Sequence, residues 1–225
     1  MKNKDQKKKS SLLRTLLIIL AIIVVLVAAA IYYYISTINS MVVYKPIIYL
    51  YPTDETEVSV TLGYEDEITV SYPKYTSGWT VLAQPDSSLV DLSSGRNLYA
   101  LYYESNAMYR FSVQKDGFVV EKENIVEFLE EKLAILGLND YEAEEFIIYW
   151  LPILQQYEYT YIRFATADEI LANMPLDMVP APDTLIRVLM TYKGLDNPID
   201  ITPQNLITPE RTGFTAVEWG GTEIQ

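Results

Sequence analysis

One apolar segment near the N-terminus constrains this chain more than any other feature. The segment Leu16–Ile35 contains no charged residue, no proline and no glycine. At about 1.5 Å of rise per residue, a helix of this length covers roughly 30 Å, which matches the hydrocarbon thickness of a bilayer. The sequence therefore predicts a transmembrane helix over residues 16–35, and the membrane is the first expected partner.

The charges around this segment predict its orientation. Five lysines and Arg14 precede it, and only Asp5 opposes them. Because such basic clusters stay on the cytoplasmic side, residues 1–15 are expected to be a cytoplasmic tail. A short spacer over residues 36–44 and an extracytoplasmic domain over residues 45–225 are then expected to follow.

A cleaved signal peptide is the alternative interpretation. Ala28–Ala30 offer small residues after a shorter apolar core over Leu16–Val27, as a cleavage site requires. The apolar run continues to Ile35 beyond that site, which favours a retained single-pass anchor. Both interpretations place the domain outside the cytoplasm.

The charge of the outer part excludes one class of partner. Six of the 17 basic side chains and one of the 30 acidic side chains precede residue 36. The remaining 11 basic and 29 acidic groups give a net charge of −18. Because such a domain repels polyanions and contains no run of lysine or arginine, nucleic acid is not an expected partner.

The missing residue types exclude several chemistries. The chain contains 0 His and 0 Cys, so it cannot build a Ser-His-Asp triad, a cysteine nucleophile, a histidine zinc site or a disulfide. The acidic clusters at residues 54–57 and 65–67 lack the alternating order and the glycine of a calcium loop. We therefore predict neither a metal ion nor another cofactor.

Two periodicities divide the outer domain. In its first half, segments such as Val58–Leu62 alternate in polarity and are rich in β-branched residues, which is typical of antiparallel strands. Apolar residues then recur at helical spacing over Ile125–Leu136, with Asn124 as the expected N-cap. A second helix is predicted from Asn139 to about Pro152. Further strands follow, and the expected fold class is α+β, with one mostly antiparallel sheet and two inserted helices.

Long motifs in the outer domain resemble those of a known family. Lys45–Pro52 reads KPIIYLYP, and Arg211–Gly221 reads RTGFTAVEWGG. In these motifs the chain resembles a family of uncharacterised bacterial surface or lipoprotein-like proteins. The resemblance implies an extracytoplasmic, membrane-tethered domain, and it assigns no catalytic residue.

Arg187 is a candidate binding residue. It lies in TLIRVLMTY, a strand pattern that is apolar on both faces and therefore typical of a central strand. A buried guanidinium needs a carboxylate partner, for which Glu145 and Glu218 are the candidates. Arg187 is then either one half of a structural ion pair or a group that binds the carboxylate or phosphate of a ligand.

The same two glutamates are the candidates for catalysis. A glycoside hydrolase needs two carboxyl groups about 5 to 10 Å apart, one of them with a raised pKa. Glu145 precedes the apolar stretch FIIYW, and Glu218 lies between Val217 and Trp219. Their placement in one cleft would favour an enzyme that hydrolyses an envelope glycan.

Aromatic side chains are the other candidates for binding. Trp79 and Trp219 could form a platform for a sugar ring or a protein, and Gly220 and Gly221 would allow close approach of a partner. The sequence favours a membrane-anchored binding domain of the bacterial cell envelope, with an envelope protein or glycan as its partner and no catalysis. The alternative is the carboxylate-dependent glycan hydrolase.

Overall fold

The computed structural model of this chain describes residues 17–33, 41–106 and 111–224. The chain divides into two units, Met1–Ser40 and Met41–Gln225, which are described separately. In the first unit, helix α1 spans residues 17–33, and all of its side chains are exposed. Within the described ranges, no helix combines the length and the apolar character needed to cross a membrane. The predicted cytoplasmic tail, both ends of the predicted transmembrane segment and most of the spacer lie outside the described residues.

The second unit is α+β, and its strands are mostly antiparallel, as predicted. Its strands form two sheets rather than the single sheet expected. In the described residues the larger sheet has eight strands, in the spatial order β12 (Thr202–Pro203), β8 (Asp116–Glu121), β9 (Tyr159–Phe164), β11 (Thr184–Leu195), β13 (Thr215–Glu223), β1 (Val42–Tyr51), β7 (Leu101–Asn106) and β3 (Ile68–Tyr72). The smaller sheet has five, in the order β10 (Leu176–Val179), β2 (Thr56–Leu62), β4 (Trp79–Ala83), β5 (Leu89–Asp91) and β6 (Asn97–Leu98). Strand β1 begins at Val42, inside the expected spacer.

The helices of the second unit are α2 (Ile125–Ile135), α3 (Asp140–Leu154) and α4 (Ala167–Asn173). Helices α2 and α3 are the two that the apolar periodicity predicts. Pro152 lies inside α3, close to its end. The sequence does not predict α4, because a helix of 7 residues is too short to display a repeated apolar stripe.

The two long helices begin in different ways. Asn139 caps α3 with its side chain, which accepts a hydrogen bond from the Glu142 N–H at 3.0 Å, while the Glu142 carboxylate accepts one from the Asn139 N–H at 2.8 Å. Asn124 occupies the N-cap position of α2, as predicted, but its side chain does not cap the helix. A short 3-10 turn over Lys122–Asn124 precedes α2, so Asn124 already has helical dihedral angles and its side chain makes no capping bond.

The larger sheet is the middle layer of the second unit. In β1, Ile47 and Tyr49 pack with α2 and α3, whereas Ile48 and Leu50 pack with the smaller sheet. The apolar side chains of Val58–Leu62 complete the core between the two sheets. Because successive side chains of a strand point to opposite faces, a sheet that is covered on both faces becomes apolar on both.

Strands β11 and β13 lie side by side in the larger sheet and run parallel. Their register places Arg187 directly beside Glu218. Each strand has a further neighbour in the sheet, β9 for β11 and β1 for β13. This central position explains why β13 is buried from Thr215 to Thr222.

Candidate functional site

Arg187 and Glu218 form a buried ion pair between the two sheets. The Arg187 Nε donates to Glu218 Oε2 at 2.6 Å, and the two side chains are only 10% and 3% exposed. Burial acts to lower the pKa of Arg187, but the adjacent Glu218 carboxylate outweighs it and holds that pKa above its usual range. The predicted carboxylate partner of Arg187 is therefore confirmed, and it is Glu218 rather than Glu145.

Two tyrosines extend this pair into the core. The Tyr103 hydroxyl donates to Glu218 Oε1 at 2.6 Å, and the Tyr64 hydroxyl donates to the Tyr103 oxygen at 2.7 Å. Burial and the Glu218 charge raise the pKa of both tyrosines. Both carboxylate oxygens of Glu218 are thus engaged inside the protein.

An apolar groove of about 550 Å³ lies beside Arg187. Its volume is within the range of ligand pockets, roughly 300 to 1,000 Å³. Most of the side chains that line it are apolar, and they come from the ends of α2 and β9, from α4, β10 and β11, and from the loop that follows β12: Leu136, Phe164, Ala165, Ala167, Leu171, Leu176, Leu185, Ile186, Leu206, Ile207 and Pro209. Arg187 also lines this groove, and its Nη2 is buried without a hydrogen-bond partner among the described residues. The groove therefore combines apolar walls with the side chain of Arg187, whose unpaired Nη2 atom is buried.

One wall of the groove is an unpaired strand edge. Strand β9 pairs with β11 only from Met190 onward, and the last bond between them joins the Ala165 N–H to the Leu189 carbonyl at 2.8 Å. The backbone groups of Leu185 and Arg187 point to the same side as those of Leu189, because strand residues two apart face the same neighbour. In the part of the chain that the structure describes, the N–H and C=O groups of these two residues have no hydrogen-bond partner.

Glu145 and Glu218 are not in one cleft. Glu145 lies on α3 and accepts a hydrogen bond from the hydroxyl of Tyr49, a side chain of the helix-facing cluster. Glu218 bonds Tyr103 in the cluster between the two sheets. The larger sheet therefore separates the two carboxylates, which is the opposite of the arrangement that the hydrolase needs.

Glu145 belongs to a second polar cluster, which is not predicted from the sequence. Its carboxylate accepts from the Tyr99 hydroxyl at 2.9 Å and lies 3.6 Å from the Lys45 Nζ. Lys45 has a positive φ of 56° at a bulge of β1, and bulges often redirect a side chain. Its ammonium group lies over the rings of Tyr102 and Tyr149, 5.6 and 5.7 Å from their centroids. Burial and Glu145 raise the pKa of Tyr99 to about 12.

The expected aromatic platform is wrong, because the structure buries its members. Trp79 is 3% exposed, and its Nε1 donates to the Pro73 carbonyl at 2.9 Å. Trp219 is fully buried against Phe146, with ring centroids 5.2 Å apart. Both tryptophans therefore belong to the core.

Gly220 and Gly221 serve packing within the sheet rather than the approach of a partner. A Cβ atom on Gly220 would lie 3.2 Å from the backbone of Pro46, at the bulge of β1. A Cβ atom on Gly221 would lie 2.6 Å from the ring of Trp150. Their position near the chain end suggests exposure, but β13 runs through the middle of the sheet.

A larger hollow of about 700 Å³ lies between β8, α2 and residues 199–203. Its lining mixes apolar side chains with acidic ones and with Lys132, whose Nζ contacts the Glu131 carboxylate at 2.8 Å. The described residues that line it include no buried polar atom without a partner. The groove beside β11 is therefore the better candidate for specific binding.

The fold and this groove together define a two-sheet α+β domain with a candidate binding site at an open strand edge. Comparisons of the chain with protein-family models, with curated proteins and with solved structures found no match. Among the described residues, no group of three or more acidic side chains is arranged to hold a metal ion.

Proposed function

We propose that this chain is a single-pass membrane protein whose extracytoplasmic domain binds a protein partner in the bacterial cell envelope. The apolar segment 16–35 supports the anchor, and the basic residues before it support a cytoplasmic N-terminus. The net charge of −18 in the outer part supports a partner other than a polyanion. The position of the larger sheet between Glu145 and Glu218 argues against hydrolysis by this pair and so supports binding over the hydrolase alternative.

The observation that carries the binding function is the groove beside β11. Folded proteins usually cover or charge the edges of their sheets, because unpaired N–H and C=O groups attract other strands. Here the edge at Leu185 and Arg187 is open and borders an apolar groove. A partner that fills the groove would bury its apolar walls and satisfy these backbone groups, which makes binding favourable.

The anchor is tested on the full-length protein in its native membranes. We expect it to stay in the membrane fraction after an alkaline carbonate wash, and we expect its intact mass to include residues 1–35. External protease should digest the domain in intact cells. Recovery of a chain that starts near Ala30 and leaves the membrane on washing would refute the retained anchor.

The binding site is tested by photo-crosslinking in the same membranes. A photoreactive amino acid replaces Ile207 in the groove or, as a matched control, Ile148 on α3. These side chains are 77% and 67% exposed, so both are accessible. We expect a discrete protein adduct from position 207 and none from position 148. Adducts at both positions, or at neither, would contradict a specific site in the groove. A glycan adduct at position 207 would show that the partner is a glycan and not a protein.

A further inference from the structure

The open edge of β11 has a defined length and direction. The Thr184 N–H donates to the Phe214 carbonyl at 3.1 Å on the β13 side, so the next residue along the strand faces the groove. The groups that face the groove belong to Leu185 and Arg187. The unpaired stretch from Leu185 to Val188 covers roughly 13 Å at about 3.3 Å per residue. This length corresponds to about four residues of an added strand.

The edge of β11 is open because β9 ends before it reaches residues 185–188 of that strand. After Phe164 the chain turns into α4, whose first turn is capped by the side chain of Thr166. The side chain of Gln204 meanwhile bonds both backbone groups of Phe164, at 3.0 and 2.6 Å. These contacts hold the end of β9 in place. The groove is the space beside β11 that a continuation of β9 would fill.

The walls of the groove are apolar on both faces of the sheet. On one face, Leu136 and Leu206 pack with Ile186 in the cluster that contains the helices. On the other face, Leu176 packs with the cluster between the two sheets. Because the side chains of a strand alternate between faces, an added strand would place all of its residues against apolar surface.

The acidic charge of the outer part bears on which segments the groove can bind. Asp168, Asp177 and Glu210 are exposed and directly follow the lining residues Ala167, Leu176 and Pro209 in the chain. The outer part also carries a net charge of −18. Basic residues at the ends of an apolar segment would therefore complement the charge of the outer part, whereas a second copy of this acidic chain would be repelled.

We propose that the groove binds an extended segment of a partner protein, about four apolar residues with basic flanks, which adds to the edge of β11 as a further strand. Backbone bonds to Leu185 and Arg187 hold the segment, and the apolar walls select its side chains. This inference rests on the proposed binding function and specifies its ligand.

The test uses the full-length protein in detergent micelles and three fluorescent peptides. The first contains four alternating valine and isoleucine residues between pairs of lysines. The other two have the same sequence with N-methyl groups on alternate apolar residues, one peptide for each of the two alternating patterns. The N-methyl groups remove backbone donors and keep the side chains and the charge. Because the N–H groups of a strand alternate between its two edges, only one of these peptides has its N-methyl groups facing β11. We expect fluorescence anisotropy to show at least about tenfold weaker binding for that peptide than for the other two, because each lost backbone bond costs about a factor of five.

Two variants make the same test from the protein side. Leu185→Pro removes an N–H that has no partner in the described structure, and proline is tolerated at such edge positions. Leu185→Ala is the matched control, because it shortens the side chain and keeps the N–H. We expect Leu185→Pro to weaken binding of the first peptide more than Leu185→Ala does, with circular dichroism checking that both variants are folded.

The outcomes separate this inference from the proposed function. Equal binding of the plain and N-methylated peptides would overturn strand addition, and a protein adduct at position 207 would still support a binding groove. Dimerisation of the wild-type chain that Leu185→Pro abolishes would also overturn it, because the occupant would be a second copy. Loss of both the peptide binding and the adduct would overturn the binding function itself.

Discussion

At the scale of single residues, the pair of Arg187 and Glu218 allows a sharp test of what burial costs. Arg187→Met removes the cation and leaves the Glu218 carboxylate, which is 3% exposed, with the Tyr103 hydroxyl as its bonded partner. Removal of one member of a buried ion pair typically costs about 3 to 5 kcal/mol. We expect a loss of this size in the free energy of unfolding, measured by urea denaturation of the full-length protein.

The double variant Arg187→Met/Glu218→Gln is the control for this prediction. A glutamine is neutral and still accepts the Tyr103 hydrogen bond, so the uncompensated charge disappears. We expect the double variant to recover most of the stability that Arg187→Met loses. A double variant as unstable as the single one would mean that the guanidinium contributes through packing rather than through charge.

Gly221 tests how closely β13 packs against α3. In Gly221→Ala the new methyl group would meet the Trp150 ring at 2.6 Å and the Met190 carbonyl oxygen at 2.9 Å. Overpacking of this kind costs about 1 to 3 kcal/mol. We expect the cost to shrink in a Trp150→Phe background, where the ring is smaller. An unchanged cost would assign the clash to the Met190 backbone.

At the scale of elements, the starts of α2 and α3 form a matched pair. Asn139→Ala removes a capping box, so we expect a loss of about 1 kcal/mol in the free energy of unfolding. Asn124→Ala is the control, because the Asn124 side chain makes no capping bond. Equal effects of the two substitutions on urea denaturation would contradict the assigned roles of these residues.

The same elements show how far sequence reasoning reaches in this protein. The periodicity predicts α2, α3, the alternating strand β2 and the α+β class, because each depends on residues that are close in the chain. The pairing of Arg187 with a carboxylate was also predictable, since a central strand cannot leave a guanidinium unpaired. The division into two sheets was not predictable from the sequence, because it depends on pairing between strands that are far apart in the chain.

The candidate site was also not predictable where it depends on the pairing of distant strands. Trp219 and Gly220 lie near the chain end, which suggests exposure, yet the parallel pairing of β13 with β11 places them in the middle of the sheet. The groove arises where β9 stops pairing with β11. No local pattern in the sequence predicts where the pairing of two strands ends. The sequence does not indicate that Lys45 contacts Glu145, because this contact depends on a bulge of β1 that brings Lys45 to α3.

At the scale of the whole molecule, the absence of histidine leaves tyrosines as a principal source of pH dependence above neutrality. Burial, with a smaller effect of the Glu142 charge, raises the pKa of Tyr51 to about 12. In the unfolded chain a tyrosine has a pKa of about 10. Because the folded state holds Tyr51 neutral at a pH where the unfolded chain ionises, the stability that it contributes is complete below pH 10 and is lost as the pH rises from about 10 to about 12.

This loss is measured by urea denaturation of the full-length protein at a series of pH values from 8 to 12. We expect the free energy of unfolding of the wild-type protein to fall above pH 10, and we expect a shallower fall for Tyr51→Phe, which cannot ionise. The raised pKa of Tyr99 and of the buried Tyr103 adds to the wild-type slope, so the difference between the two proteins isolates Tyr51. Equal slopes would show that Tyr51 ionises alike in both states, and the packing of the Tyr51 ring near Arg211 and Asn139 would then not exclude water from its hydroxyl group.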